Sequence, residues 1–69
     1  MLYAVSLYER WDNGTWEFVE CVKIFREQKR AIEFAYHSIK NSSRDFYYMV
    51  GIISEETVLA GGFENLIES

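Results

Sequence analysis

The sequence contains no proline, a single cysteine, Cys21, and a single histidine, His37. One cysteine cannot form a disulfide within the chain, and one thiol with one imidazole gives too few donors for a structural zinc site. Because proline and low-complexity runs are absent, no linker is recognisable. The sequence therefore predicts a single domain over residues 1–69, with no metal and no cofactor, in a reducing compartment such as the cytoplasm.

Long hydrophobic runs and a basic charge balance are missing as well. No stretch approaches the roughly 18 apolar residues of a membrane-spanning helix, and the N-terminus lacks the regions of a secretory signal. Eleven acidic and seven basic side chains give a net charge of −4, whereas nonspecific binding to a phosphate backbone needs a basic surface. We therefore expect neither a membrane nor a nucleic acid as a partner.

Apolar and aromatic residues, in contrast, are abundant. Hydrophobic residues make up 49% of the chain and aromatic residues 17%, which is far more than a disordered segment contains. The core of a 69-residue chain is small, so five Tyr, five Phe and two Trp exceed what it readily encloses. The composition predicts a folded domain with aromatic surface left over for a partner or for a second copy of the chain.

Two segments rich in β-branched and aromatic residues, 2–11 and 16–25, flank an Asn-Gly pair and predict a β-hairpin. Asn13 and Gly14 favour a type I′ turn because both tolerate positive φ. With these two residues at the centre of the turn, Trp11 faces Trp16 across the hairpin. One face of this hairpin is then the predicted core side, and it carries Tyr3, Val5, Leu7, Trp11, Trp16, Phe18, Val22 and Ile24, with Glu9 and Glu20 among them.

The rest of the chain predicts a helix, a strand and a tail. Residues 27–40 have helical spacing, with an apolar stripe of Ala31, Phe34, Ala35, Ser38 and Ile39 that Ile32 and Tyr36 widen. Residues 45–54 form a third strand that is apolar on both faces and therefore central. Residues 57–60 add a short fourth strand in one version of the fold, and residues 61–69 form a flexible or short helical tail.

These elements define an α+β fold. The prediction is an antiparallel sheet of three or four strands, ββαβ(β) in the order 2-1-3-4, with one helix packed on one face.

Three groups of residues carry a resemblance to known proteins. They are Tyr3-Ala4-Val5, residues 22–25 leading into residues 29–35, and residues 46–50. Over residues 3–53 the chain resembles the small ββαβ proteins of tailed phages and bacteria, some of which resemble phage inhibitors of host defence systems. The resemblance implies a phage or bacterial origin, the host cytoplasm as location if a phage encodes the protein, and inhibition of a host protein. It implies no catalytic residue.

Catalytic groups are scarce. A nucleophile–base pair would have to be Cys21 with His37, but the predicted fold places Cys21 on the sheet face opposite the helix. Glu9 and Glu20 point to the helix side and could be tuned for acid–base chemistry, although such residues more often pair with Arg or Lys at the periphery of a sheet. We expect a protein that is not an enzyme.

The remaining hypothesis is binding. We expect a non-enzymatic protein-binding module, a homodimer that acts as an inhibitor or adaptor on a larger host protein such as a component of an anti-phage defence system. The alternative is a sponge for a small molecule or nucleotide, with a pocket at a dimer interface. Aromatic anchors and acidic rim residues carry such contacts, and the predicted partner-binding residues are Tyr8, Trp11, Trp16, Tyr47, Glu55 and Glu56.

Overall fold

The computed structural model describes residues 1–68 and contains one three-stranded sheet with helices on both faces. The sheet is antiparallel in the order β2-β1-β3, which confirms the α+β class in its three-stranded version. The elements in chain order are strand β1 (Leu2–Arg10), strand β2 (Trp16–Phe25), helix α1 (Gln28–Lys40), strand β3 (Phe46–Ile53), helix α2 (Glu55–Gly61) and a 3₁₀ turn (Glu64–Leu66).

The expected fourth strand does not form, because residues 57–60 lie within α2. Ser54 caps this helix by accepting the Thr57 backbone N–H at 3.1 Å. At the other end Gly62 adopts a left-handed φ of 74°, and the N–H of Phe63 reaches back to the Val58 carbonyl at 2.9 Å, as in a Schellman motif. With no fourth strand beside it, β3 lies at an edge of the sheet and not at its centre.

The hairpin loop also differs from the predicted turn. Trp11 donates its N–H to the Thr15 carbonyl at 2.8 Å, and Gly14 donates to the Trp11 carbonyl at 2.9 Å. Gly14 has a φ of 84°, whereas Asn13 does not have a positive φ. This is a three-residue loop, a type I turn followed by a left-handed glycine. The predicted register was therefore wrong, and Trp16 pairs with Arg10.

Two irregularities in β2 change the register further. The pairing with β1 shifts between Leu7 and Tyr8 and again between Val5 and Ser6, and each shift leaves one β2 residue, Val19 or Val22, without a partner in the ladder. Each extra residue exchanges the two faces for the residues beyond it.

The predicted core face of β2 is therefore also wrong. Direct partners in an antiparallel pair share a face, and Trp16, Phe18 and Ile24 pair with the even-numbered residues Arg10, Tyr8 and Ala4. Phe25 instead pairs with Tyr3, and it packs with α1. Three residues expected beneath the helix thus lie on the opposite side of the sheet.

The sheet separates two apolar clusters. The residues beneath α1 are Val5, Phe25, Ala31 and Ala35, flanked by Tyr3, Phe34, Tyr48 and Val50. Those beneath α2 are Leu2, Ala4, Ile24 and Val58, flanked by Cys21, Ile53, Leu66 and Ile67. The predicted helix is confirmed, but Ile32 and Tyr36 are exposed and do not widen its buried stripe.

The C-terminal residues lie against β2. Ile67 forms a parallel bridge with Ile24, and Glu68 donates its N–H to the Ile24 carbonyl at 2.8 Å. The Glu68 carboxylate accepts two hydrogen bonds from Arg30 of α1, at 2.7 Å from Nε and 2.5 Å from Nη2. One end of the outer edge of β2 is thereby covered.

Candidate protein-binding surface

Helix α2 covers only one end of its sheet face. Its seven residues extend over about 10 Å, while the nine residues of β1 extend over about 30 Å. Val58 packs against Leu2, Ala4 and Ile24, all near the end of the sheet where β1 begins. Among residues 1–68, no helix lies above the other end of the same face, around Tyr8.

Five large side chains occupy this uncovered end and form what we call the aromatic patch. Tyr8 pairs with Phe18 of β2 on one side and with Tyr47 of β3 on the other. The Tyr8 and Phe18 rings meet edge-on with centroids 5.7 Å apart. The patch consists of Tyr8, Trp16, Phe18, Tyr47 and Met49.

The aromatic patch is strongly exposed. The exposed fractions are 47% for Trp16, 54% for Phe18, 46% for Tyr47 and 50% for Met49, while Tyr8 lies half-buried among them. A shallow depression of about 360 Å³ is lined by Tyr8, Trp16, Tyr47 and Met49. Single exposed apolar side chains are common on protein surfaces, whereas large contiguous apolar groups are enriched at interaction sites.

Charged groups lie at the margin of the aromatic patch. The guanidinium carbon of Arg10 is 6.0 Å from the centroid of the Trp16 ring, at the outer limit of a cation–π contact. Arg10 Nη2 also lies 3.3 Å from Asp45 Oδ1, and both side chains are exposed. An apolar centre with a charged, solvated margin is the usual anatomy of a protein–protein interface.

The structure brings together three of the predicted partner-binding residues, Tyr8, Trp16 and Tyr47, and leaves Trp11 apart. The indole N–H of Trp11 donates to Glu17 Oε2 at 2.5 Å. Glu17 pairs with Glu9, which alternation places on the α1 face of β1. Trp11 therefore lies at the tip of the hairpin on the other side of the sheet.

The two predicted acidic residues, Glu55 and Glu56, also lie outside the aromatic patch. They lie in the first turn of α2, where their negative charges interact favourably with the positive end of the helix dipole. Two members of the patch, Phe18 and Met49, were missed by the sequence analysis. Each is two positions from a predicted residue on the same strand, which places it on the same face, so the correct hairpin register would have found Phe18.

The reactive groups lie elsewhere. Cys21 packs against the cluster beneath α2, and burial raises the pKa of its thiol more than its hydrogen bond with Ser6 lowers it. His37 is on α1, so the sheet lies between this thiol and the imidazole. Within residues 1–68 no group of three or more His, Cys, Asp or Glu side chains is placed to hold a metal ion. In that same part of the chain, no helix combines the length and the hydropathy needed to cross a membrane.

Comparison with known proteins finds no family model, no curated protein and no solved structure that matches this chain significantly. The resemblance to small phage and bacterial ββαβ proteins stays a prediction.

Proposed function

We propose that this protein is a non-enzymatic protein-binding module that docks onto a larger protein through the aromatic patch. The observation that carries the proposal is the cluster of Tyr8, Trp16, Phe18, Tyr47 and Met49, four of them about half exposed, on sheet surface that α2 leaves uncovered. In the setting that the sequence suggests, the module acts as an inhibitor or adaptor that occupies a surface of a bacterial host protein in the cytoplasm.

The chemistry of the aromatic patch supports this role. Trp and Tyr combine a large apolar area with few rotatable bonds, so ordering them on binding costs little conformational entropy. Such side chains are enriched among the residues that dominate binding energies. Trp16 and Tyr47 are already in edge-on contact, with centroids 6.1 Å apart, which further reduces the freedom that binding must remove.

The depression in the aromatic patch supports a second candidate, a sponge for a small molecule. Its volume of about 360 Å³ falls in the range of roughly 300–1,000 Å³ that is typical of ligand pockets. Its lining offers only two phenol hydroxyls and one indole N–H as polar groups, and the neighbouring guanidinium of Arg10 is engaged with Asp45. A phosphorylated nucleotide would need more convergent donors, so we favour a protein partner.

Site-specific photo-crosslinking tests the proposal. A benzophenone amino acid replaces Phe18, which lies in the aromatic patch, and in a control variant it replaces Glu33, which is exposed on α1 across the sheet. In a bacterial lysate we expect a discrete heterologous protein to crosslink at position 18 and not at position 33. Crosslinking at both positions, or at neither, would contradict the assignment. A small molecule retained in native mass spectra of the purified protein would favour the sponge.

A further inference from the structure

The outer edge of β3 presents backbone groups that no other strand within residues 1–68 pairs. Arg10 donates its N–H to the Asp45 carbonyl at 2.7 Å, while Trp11 donates to Thr15 across the hairpin. Backbone groups alternate in direction along a strand. The N–H and C=O groups of the even-numbered residues of β1 therefore point toward β3. Their partners are the odd-numbered residues of β3. The N–H and C=O groups of Tyr48, Val50 and Ile52 consequently point away from the sheet.

The two edges of the sheet are built differently. On β2, Val19 and Val22 interrupt the ladder, charged side chains recur along the strand, and the C-terminal residues cover the edge at Ile24. Strand β3 reads FYYMVGII and pairs with β1 without interruption. It has none of the charges, prolines or bulges that commonly block pairing at an edge. Within residues 1–68 the β3 edge is therefore the more open of the two to another strand.

Exposed apolar side chains flank this edge on both faces of the sheet. Ile32 and Tyr36 of α1 and Ile52 of β3 are exposed on one face, and Tyr47 and Met49 on the other. A groove of about 380 Å³ runs between α1 and β3, and its lining includes Ile32, Tyr36 and Met49. A strand added to β3 would pack beside these side chains as well as pair the backbone, and it would leave the outward surface of Tyr47 and Met49 to the aromatic patch.

We infer that a second copy of this chain occupies the edge, with β3 paired antiparallel to β3 of the partner subunit. A two-fold axis at Val50 pairs that residue with its own copy and uses all the outward backbone groups of Tyr48, Val50 and Ile52. In this register Met49 lies opposite Gly51 of the partner subunit. Outside residues 50–52, no atom lies within 4 Å of the position of a Gly51 Cβ, so Gly51 offers space beside the half-exposed Met49. This match of a large side chain to a gap on the same strand favours a second copy over an unrelated strand.

The symmetry closes the assembly at two subunits. An axis perpendicular to the sheet places both α1 helices on one face, where Ile32 and Tyr36 meet their copies, and it leaves only the two protected β2 edges outermost. With roughly 150–250 Å² per aromatic side chain and less for Ile and Met, the exposed halves of the five flanking side chains give at most about 1,000 Å² for both subunits. That is close to the lower limit for a specific interface, so the dimer should be weak, with a Kd in the micromolar range.

The inference does not rest on the partner proposed above, and sedimentation equilibrium of the purified protein tests it. Ile52→Pro removes an outward N–H and leaves the ladder with β1 intact. We expect it to raise the dimer Kd at least about tenfold, whereas Ile52→Val, which keeps the N–H, should change it less than about threefold. A wild-type protein that is monomeric up to the millimolar range overturns the inference, as does a dimer that Ile52→Pro leaves unchanged.

Three further variants decide the question if Ile52→Pro does not fold. Ile32→Glu places a charge at the seam on an exposed helix position, and we expect it to give a monomer, while Val19→Glu on the other edge strand should leave the dimer intact. Gly51→Val should fold at least as well as the wild type, because the site has room and valine suits a strand, yet it should weaken the dimer by filling the space for Met49. Equal dimerisation of Ile32→Glu and Val19→Glu, or a Gly51→Val dimer as strong as the wild type, would refute the arrangement.

Discussion

Trp16 meets Tyr47 edge-on, with ring centroids 6.1 Å apart and an interplanar angle of 64°, although the two residues lie on the two outer strands of the sheet. The contact spans the central strand and depends on the hairpin register. In that register Trp16 pairs with Arg10, on the face where Tyr8 pairs with Tyr47. The three-residue loop therefore helps to create the aromatic patch.

The first prediction concerns the left-handed glycine of that loop. Gly14 has a φ of 84°, a conformation that is costly for a β-branched residue. We expect Gly14→Val to lower the free energy of unfolding by about 1–3 kcal/mol, and Gly14→Asn to lower it by clearly less, because Asn tolerates this region. Urea unfolding of the three proteins measures the difference. Equal midpoints for the Val and Asn variants would contradict the loop geometry.

The second prediction concerns the packing of α2. Val58 is fully buried between α2 and the sheet, whereas the next residue, Leu59, is largely exposed. Val58→Ala should cost about 1.5–3 kcal/mol of unfolding free energy through lost burial and a cavity, and Leu59→Ala should change it by no more than about 0.5 kcal/mol. Thermal or urea unfolding followed by circular dichroism compares them. A larger loss at Leu59 than at Val58 would mean that this segment is not the helix described.

The third prediction is a pH dependence at the C-terminus. Hydrogen bonds from Arg30 lower the pKa of Glu68, with its desolvation opposing and the charges of Arg30 and Lys23 adding to the decrease. A carboxyl whose pKa is lowered on folding stabilises the fold at pH values above its unfolded pKa, and this contribution is lost as the pH falls through the folded pKa. We therefore expect the Ile24–Glu68 backbone hydrogen bond to lose protection against hydrogen exchange in acid before the core does.

NMR titration of the Glu68 carboxyl in two variants checks whether Arg30 causes the lowered pKa. Arg30→Gln should raise the pKa of Glu68 toward the ordinary glutamate value, and Lys29→Gln, which removes a neighbouring positive charge on the same helix, should leave it nearly unchanged. A similar rise in both variants would show that the net charge of α1, and not the hydrogen bonds from Arg30, sets the pKa.

Local patterns predicted most of the fold. The helical spacing of Ala31 and Ala35 and the runs of strand-forming residues gave α1 and all three strands within one or two residues. The signals for α2 were also in the sequence, since Ser54 precedes two glutamates and Gly62 ends the segment. Over so short a segment, however, Val58 and its neighbours suit a strand as well as a helix, and residues 57–60 were therefore expected to form a strand.

The aromatic patch was harder to predict, because the face on which each β2 side chain lies depends on the register of the hairpin. Asn13-Gly14 is compatible with both a two-residue and a three-residue loop, and the two choices place Trp16 on opposite faces of the sheet. The irregularities at Val19 and Val22 have no glycine or proline to announce them. The residue types of Tyr8, Trp11, Trp16 and Tyr47 suit binding, but type alone does not separate Tyr8, Trp16 and Tyr47, which share one face, from Trp11, which lies on the other.

The two tryptophans provide the most direct test of the central claim, that the aromatic patch binds a partner protein. Both are about half exposed, but Trp16 belongs to the patch and Trp11 does not. The measurement uses the partner protein that is captured by crosslinking at position 18. Its Kd is determined with the wild type, with Trp16→Ala and with Trp11→Ala, each shown by circular dichroism to be folded. We expect Trp16→Ala to weaken binding by about thirtyfold, as for an anchor worth about 2 kcal/mol, and Trp11→Ala by less than about threefold. Equal losses for the two variants, or a larger loss for Trp11→Ala, would contradict the account.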